Sequence, residues 1–279
     1  MTGGLIFLFV SSLLAGAINS IAGGGSLLSF PAAIGAGLAP IVANATNTVA
    51  VIPGSLAGAW GFRKHLDGLG RLTAVLCIPA VLGSLVGASI LRHTPQRVFD
   101  GVVPWLVLGA TAVIFVKELW PRRPGRPQEP AAGAQTQTQI QTQLARGAMP
   151  PDRIPPLFLG LQFLTSVYGG YFGAAIGLIM LAFLSFLPQR LGLHQMNGVK
   201  NVLAVVVNAA AAIDFLVHGL VNGPAVLVMA VGAATGGVLG GRWATRVDPR
   251  RVRWLVVAIG VVMAALLGWR ALAGRHGSR

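Results

Sequence analysis

Long apolar runs separated by short polar segments recur along the whole chain. Six of them are about 18 to 22 residues long, the length that an α-helix needs to cross the hydrocarbon core of a bilayer. They extend from about 42 to 62, 72 to 91, 98 to 116, 199 to 217, 224 to 243 and 252 to 269. The pattern therefore predicts an all-α polytopic membrane protein.

Two shorter apolar pairs are interrupted by glycines. In the first pair, residues 5–18 lead into Asn19-Ser20-Ile21-Ala22-Gly23-Gly24-Gly25-Ser26, and a half-length run from 27 to 38 follows. In the second pair, residues 157–167 lead into Tyr168-Gly169-Gly170-Tyr171-Phe172-Gly173, and a short run continues to 187. Glycine disfavours the helix interior and lets the backbone turn, so each pair is predicted to be a broken or re-entrant helix pair.

These breaks are candidate binding sites for a physical reason. Within a membrane, irregular backbone persists only where protein or a water-filled cavity satisfies its N–H and C=O groups. The N–H groups at the start of the second half-helix would also favour an anion. A tight turn between helices, or close packing at the glycines, is the alternative explanation, and the pattern leaves it open.

The second half of the sequence repeats the first. A shift of 154 positions places Arg92-His93-Thr94-Pro95-Gln96-Arg97-Val98 on the matching Arg, Pro, Arg and Val of 246–252, and Asn47 on Asn201. Before the breaks the shift is 146, which places Gly23-Gly24 on Gly169-Gly170. The predicted organisation is a first membrane repeat (1–116), a flexible linker rich in Pro, Gln and Thr (117–153), a second membrane repeat (154–270) and a basic tail (271–279).

The basic residues indicate how the two repeats are oriented. The chain carries 21 Lys and Arg against seven acidic residues, and the basic ones cluster at the ends of apolar runs, so membrane topology explains them better than nucleic acid does. If each half crosses the membrane an odd number of times, 16 of the 21 lie on one side with the linker, whereas an even number divides them 12 to nine. Because cytoplasmic loops are rich in Lys and Arg, we predict inverted repeats, a cytoplasmic linker and both termini outside.

Polar side chains within and beside the breaks are the candidate substrate ligands. A lysine inside a membrane segment marks a pathway or a paired site, or else reaches the interface from a helix end, and both interpretations apply to Lys200. Asp214 and His218, four residues apart on one helix face, are candidate proton carriers, and an interfacial cap or pair explains them equally well. The predicted substrate-binding residues are Asn19, Ser20, Gly23, Gly24, Gly25, Ser26, Asn44, Thr46, Asn47, Ser166, Tyr168, Gly169, Gly170, Lys200 and Asn201.

Nothing in the sequence predicts an enzyme. The five histidines lie in loops or at the ends of apolar runs without metal-ligand spacing, and the chain has no Walker-type phosphate loop. We therefore expect no cofactor and no metal. The expected partners are the lipid bilayer and a small anionic substrate, with no nucleic acid; the oligomeric state stays open, and a homodimer is compatible with the sequence.

Two motifs together resemble a known family. Ala22-Gly23-Gly24-Gly25, then Pro31 and Gly37, and then Ala43-Asn44-Ala45-Thr46-Asn47, with a weaker second copy after the linker, are similar to the sulfite exporter TauE/SafE-type permeases. The resemblance implies a multi-pass protein of the bacterial inner membrane that moves sulfite, organosulfonates or related sulfur-containing anions. It also implies that five residues belong to the transport region: Gly23, Gly24, Gly25, Thr46 and Asn47.

The second copy keeps one feature of the family and departs from another. His218-Gly219-Leu220-Val221-Asn222 resembles the family's ending of this helix, whereas many relatives have Gly-Thr where this chain has Val199-Lys200. The leading hypothesis is a secondary transporter that alternates between inward-facing and outward-facing forms, with the two breaks and Lys200 holding the anion near the membrane midplane. A passive anion channel of the same architecture is one alternative, and a membrane-embedded enzyme or scaffold subunit is another.

Overall fold

The computed structural model describes residues 2–21, 23–119, 154–187, 191–243 and 249–276, and those residues are helical apart from short connections. The predicted linker from 120 onward, the last three residues of the predicted tail, and residues 244–248, which include the first three positions of the repeated motif at 246–252, lie outside them. The helices of the first half are α1 (Thr2–Ile21), α2 (Ser26–Gly35), α3 (Pro40–Ala50), α4 (Ile52–Gly61), α5 (Gly70–His93) and α6 (Gln96–Leu119). Those of the second half are α7 (Pro156–Tyr171), α8 (Ile176–Leu184), α9 (Leu193–Val217), α10 (Gly223–Trp243) and α11 (Pro249–His276).

The outer surface of this bundle is apolar, as lipid requires. Four helices, α1, α5, α9 and α10, each contain a segment long and apolar enough to cross a membrane. Large apolar side chains are exposed along their outer faces, for example Leu82, Val86 and Ile90 on α5 and Leu227 and Val231 on α10. The prediction of an all-α polytopic membrane protein is confirmed.

Two helix boundaries differ from the predicted ones. The predicted single crossing from 42 to 62 is two helices, α3 and α4, which meet at Val51. Pro53 explains the interruption, because proline lacks an N–H and its ring clashes with the carbonyl four residues earlier, whereas it is tolerated in the first turn of a new helix. In the second half, α7 continues through Gly169-Gly170, and the chain breaks only after it, at 172–175.

Glycines allow two helix pairs to pack with their backbones in contact. On α10, three glycines spaced by four residues face the backbone of α1, so that a Cβ on Gly232, Gly236 or Gly240 would overlap main-chain atoms of Phe9, Leu13 or Ala17. On α5, Gly83 and Gly87 face the backbone of α7 at Phe163 and Val167 in the same way. Such small-residue stripes replace side-chain interdigitation as the source of close helix packing in membranes.

The two glycine-packed pairs are equivalent, and they correct the register of the repeat before the break. A shift of 150 takes Leu13 and Ala17 of α1 to Phe163 and Val167 of α7. The same shift takes Gly23, with φ +80°, to Gly173, with φ +70°. The shift of 146 that aligns Gly23-Gly24 with Gly169-Gly170 is therefore wrong for the backbone break. Gly170 instead lets α7 approach the main chain of Ser84.

Two pairs of helices that align in the sequence repeat, α6 with α11 and α4 with α9, run in opposite directions where they meet. In the α6–α11 pair, Phe115 packs on Trp254 near the end of one helix and the start of the other, with ring centroids 5.7 Å apart, and Pro104 lies beside Gly268 at the other end. In the α4–α9 pair, the end of α4 lies beside the start of α9, where the Phe62 and His194 rings are 5.9 Å apart.

The glycine stripe on α10 provides a test of the close packing between α1 and α10. Gly236→Ala would force a methyl group into the carbonyl of Leu13, and overpacking of this kind destabilises by about 1 to 3 kcal/mol. The matched control is Gly160→Ala on α7, where nothing lies within 4 Å of the new methyl and the better helix propensity of alanine raises stability slightly. We expect thermal unfolding in detergent to show a lower Tm for Gly236→Ala only. Equal Tm values for the two variants would contradict the close contact between α1 and α10.

Candidate functional site

The two chain breaks contact each other directly. Ser26 is the first residue of α2, and its Oγ accepts a hydrogen bond of 3.0 Å from the backbone N–H of Ala175, the residue before α8. Phe30 and Phe172 pack edge to face beside this bond, with ring centroids 5.1 Å apart. The N-termini of two short helices, one from each half of the chain, therefore lie at the same place.

Three glycines make the first break for two different reasons. Gly23 and Gly24 have φ angles of +80° and +85°, a left-handed conformation that residues with a side chain rarely adopt. Gly25 has an ordinary φ, but a Cβ there would overlap the carbonyl oxygen of Ala15 on α1. In the second break Gly173 has a φ of +70°, and Ala175 takes a positive φ of +60° without being glycine.

A small enclosed cavity lies beside the meeting point. The volume open to the centre of a water molecule is about 30 Å³, room for about two waters. Its walls come from both halves, and most of the lining residues are small or polar. The lining residues are Ala15, Gly16, Asn19, Ser26, Val51, Gly54, Ser55, Gly173, Ile176, Gly177, Lys200, Asn201, Ala204, Asn208 and Ala233.

Lys200 is the charged member of this lining. Its side chain is only 1% exposed, and its stem passes the first turn of α8, where a Cβ on Gly177 would lie 3.4 Å from Lys200 Cδ. Acidic residues do not occur among the fifteen lining residues. A positive charge in such a position attracts an anion more strongly than it would in water, because little solvent screens it.

Hydrogen-bond donors accompany the lysine. Among the described residues, the backbone N–H groups of Ser26 and Gly177 have no acceptor, as is usual in the first turn of a helix. The side-chain amide nitrogen of Asn201, which is 3% exposed, likewise has no acceptor in the described part of the chain. The site therefore combines one cation and two helix N-termini, and the amide nitrogen of Asn201 lies beside Gly58 of α4.

The predicted substrate-binding residues fall into three groups in the structure. Asn19, Ser26, Lys200 and Asn201 line the cavity. Gly23, Gly24 and Gly25 form the first break, where Leu178 of α8 packs against Gly23 and Gly24, and the backbone of Ala15 lies against Gly25. The remaining eight, which are absent from the cavity lining, are Ser20, Asn44, Thr46, Asn47, Ser166, Tyr168, Gly169 and Gly170.

Most of the third group hold helices or turns in place. Ser20 Oγ donates to Gly237 O (2.9 Å), Asn44 Nδ2 to Tyr171 O (3.0 Å), the Asn222 N–H to Thr46 Oγ1 (3.0 Å), Ser29 Oγ to Asn47 Oδ1 (2.6 Å), Ser166 Oγ to Gln162 O (2.7 Å) and Tyr168 Oη to Ala174 O (2.8 Å). Gly169 packs against Ile176, and Gly170 against Ser84. These contacts give each residue a structural role, and a role in binding substrate stays a prediction for them.

Several lining residues were absent from the predicted set. Asn208 lies seven residues, or two helical turns, after Asn201 on α9, so helical spacing could have found it. Ser55 and Gly54 lie on α4, opposite α9, and the shift of 154 takes Gly54 to Asn208. Gly177 carries no chemical signal in the sequence, because its importance comes from the lysine stem that packs on it.

Asp214 and His218 lie away from the cavity, in a polar cluster with Arg92. Arg92 Nη1 is 3.2 Å from Asp214 Oδ1, and His218 Nδ1 is 3.5 Å from the same oxygen. Arg92 also contacts the His218 ring. The cluster joins α5 of the first half to the end of α9 in the second. A role in moving protons stays a prediction.

The fold and the site together define a class: an α-helical multi-pass membrane protein in which two broken helix pairs meet at an enclosed basic cavity. The chain belongs to the sulfite exporter TauE/SafE family, whose family model matches residues 8–267, and the resemblance noted from the glycine motif is confirmed. The chain is similar to a probable membrane transporter protein of Haemophilus influenzae, with 28% identity over 274 residues, 95% of this chain and 96% of that one.

Two further relatives carry similar names. YfcA of Escherichia coli K12, a probable membrane transporter protein, is 27% identical over 262 residues, 93% of this chain and 88% of its own. ORF9 of Sinorhizobium, also a probable membrane transporter protein, is 26% identical over 268 residues, 94% of this chain and 92% of its own. No solved structure matched the chain.

The hydrogen bond between the two breaks gives a second prediction. Ser26→Ala leaves the N–H of Ala175 without its acceptor, and an orphaned buried donor costs about 1 to 3 kcal/mol. Ser11→Ala is the matched control, since the Ser11 hydroxyl donates within its own helix, to Leu8 O. We expect thermal unfolding of the purified protein to show a lower Tm for Ser26→Ala than for Ser11→Ala. The contact between the breaks would be unimportant if the two variants unfolded at the same temperature.

Proposed function

We propose that this protein is a secondary transporter that exports a small sulfur-containing anion, such as sulfite or an organosulfonate, across the bacterial inner membrane. The names of the family and of the three relatives support membrane transport. The single observation that supports an anionic substrate is the position of the buried Lys200. This lysine lines a cavity at the N-termini of α2 and α8, and the lining residues of that cavity include no acidic side chain.

In this proposal the anion binds in the cavity, in contact with groups from both halves. The Lys200 ammonium supplies the charge, and the N–H groups of Ser26 and Gly177 donate hydrogen bonds from the two helix N-termini. Asn201 lines the same cavity, with its amide nitrogen beside Gly58 of α4. These groups replace the water that the anion loses on entering the membrane.

The small size of the cavity supports a carrier mechanism. A space for about two water molecules is too small for an anion with one sulfur and three oxygens. Substrate entry therefore requires the surrounding helices to move. The antiparallel contacts of α4 with α9 and of α6 with α11 support inverted repeats. Exchange of conformations between two such repeats opens the same site alternately to either side.

Lys200 is the residue that tests this function. Lys200→Met keeps much of the stem and removes the charge, so we expect it to weaken substrate binding by about 1 to 3 kcal/mol, the range for losing a hydrogen bond to a charged group. Lys200→Arg keeps the charge in a different geometry and should retain part of the activity. Sulfite binding to purified protein and sulfite flux in proteoliposomes are the two measurements.

The matched control for both measurements is Lys64→Met, which removes an exposed lysine of the turn Arg63–His65. It should leave binding and flux unchanged. An unchanged dissociation constant for sulfite in Lys200→Met would reject the site. A wild-type flux that fails to saturate with sulfite and shows no counter-transport would indicate the channel, and no flux of any anion would reject transport altogether.

The orientation proposed for the repeats makes a separate prediction. The 16 basic residues on the linker side place the linker in the cytoplasm and both termini outside. A reporter that is active only in the cytoplasm should therefore work when fused at Gln139 and fail when fused after Arg279. Activity at both positions would exclude an odd number of crossings in the second half and the inverted arrangement with it.

A further inference from the structure

The polar cluster of Arg92, Asp214 and His218 joins the two halves of the chain at the end of the bundle opposite to the predicted linker. Arg92 lies near the end of α5, whereas Asp214 and His218 lie at the end of α9. Arg92 Nη1 donates a hydrogen bond of 3.2 Å to Asp214 Oδ1, and the same nitrogen contacts the His218 ring. An arginine of the first half is therefore held by two side chains of the second half.

The hydrogen bonds of the His218 ring define its protonation state in this structure. Nδ1 is 2.7 Å from the backbone oxygen of Asp214, an atom that only accepts, so Nδ1 bears a hydrogen. Nε2 contacts Arg92 Nη1, an atom that only donates, so Nε2 is the acceptor of that contact. His218 is therefore neutral here, because a cationic histidine has a hydrogen on both ring nitrogens.

A proton on Nε2 of His218 would remove its contact with Arg92. Two N–H donors would then face each other, and both side chains would be cations. The cationic ring has another partner on its own helix, since Asp214 Oδ1 is 3.5 Å from Nδ1 and Asp214 Oδ2 has no hydrogen-bond partner among the described residues. Protonated His218 would therefore compete with Arg92 for the Asp214 carboxylate and weaken the link between the halves.

Water can deliver this proton to His218. The side chain of His218 is 39% exposed, whereas that of Asp214 is 16% exposed. Histidine is the side chain that ordinarily changes its charge between about pH 5 and 8. The residue also directly follows the last turn of α9, and the C-terminus of a helix favours a positive charge.

Within the described residues, Arg92 and Asp214 are the charged groups that contact His218. Of the helices packed on α9, α3, α4 and α8 contain no ionisable side chain, and the turn Arg63–His65 packs on the opposite end of α9. His93 belongs to the same end of the bundle as the cluster, and its ring bonds to the backbone oxygen of its own helix at Ser89 (2.7 Å). The other ionisable residues of the packed helices α5 and α7 are Arg71, Cys77, Tyr168 and Tyr171.

From this arrangement we infer that His218 is a proton-binding site that controls the opening of the transporter at the end opposite to the linker; the inference rests on the proposed transport function. Neutral His218 helps Arg92 to hold α5 against α9 in the closed form. Opening releases Arg92 and leaves Nε2 free to take a proton, so the open form binds the proton more tightly and a falling pH shifts the equilibrium towards it.

α9 connects the proton site to the anion cavity, because Lys200, Asn201 and Asn208 of the same helix line that cavity. In the orientation proposed above, the end with His218 faces the outside. A proton from the outside would therefore open the cavity towards the side on which the exported anion is released.

Distances between two spin labels measure this opening in the absence of substrate. Cysteines that replace the exposed Ile90 of α5 and Leu227 of α10, in a Cys77→Ala background, place labels on two helices near this end. We expect the ratio of the long-distance to the short-distance population to rise at least about threefold between about pH 8 and about pH 5.5. Coupling to one proton changes such a ratio by up to about tenfold per pH unit.

Three variants of the labelled protein identify the group that titrates. His218→Gln keeps a neutral donor and acceptor that does not change its charge, so its distances should not depend on pH. His93→Gln is the matched control at the same end of the bundle and should keep the wild-type response. Arg92→Met removes the contact itself and should populate the long distance at both pH values.

The outcomes separate the proton site from the proposed transport function. A pH response that persists in His218→Gln would overturn the assignment to His218. No response in the wild type, together with saturable sulfite flux, would overturn the inference and leave the transporter intact. A response that His218→Gln abolishes, without sulfite flux at any pH, would support the proton site and reject the transport function. Absence of both would reject both. If His218→Gln does not fold, His218→Asn replaces it.

Discussion

A backbone that leaves the helical conformation inside a membrane must find its hydrogen bonds within the protein, and this constraint organises the molecule. Each half of the chain has a glycine-containing break near its beginning, and the second break draws a hydrogen bond from the other half. The N–H of Ala175 is bonded by Ser26 from the other half, and Leu178 covers Gly23 and Gly24. The centre of the structure is therefore a contact between two irregular segments, and α1, α4, α9 and α10 surround it.

The same constraint concentrates positive charge at this point. Ending two helices at one point concentrates the positive ends of their dipoles, and Lys200 adds a full charge to them. Burying a cation in this way is unfavourable, since it costs free energy that a folded protein must recover elsewhere. The structure maintains it with rigid surroundings: glycine contacts too close for side chains between α1 and α10, and between α5 and α7.

The sequence predicted the membrane class, most helices and the first break, because apolar length and three adjacent glycines follow directly from the chemistry of the bilayer and the backbone. It placed the second break wrongly, because Gly169 and Gly170 serve helix packing, and the turn itself uses Ala175 in a conformation that composition does not reveal. Lys200 was identified as a candidate, yet whether it faced a cavity or the interface depends on neighbours distant in sequence. Small wall residues such as Ala15, Gly54 and Gly177 become visible only when tertiary packing brings them together.

The glycine stripes have an implication for how the two halves of the chain depend on each other. The stripe of α10 packs on a helix of the first half, and the stripe of α5 packs on a helix of the second, so each half covers the other's exposed backbone. A single half expressed alone would present an uncovered stripe to the lipid. The site at the centre is nevertheless unequal between the halves, because Lys200 lines the cavity from the second half and the position 154 residues earlier is Thr46.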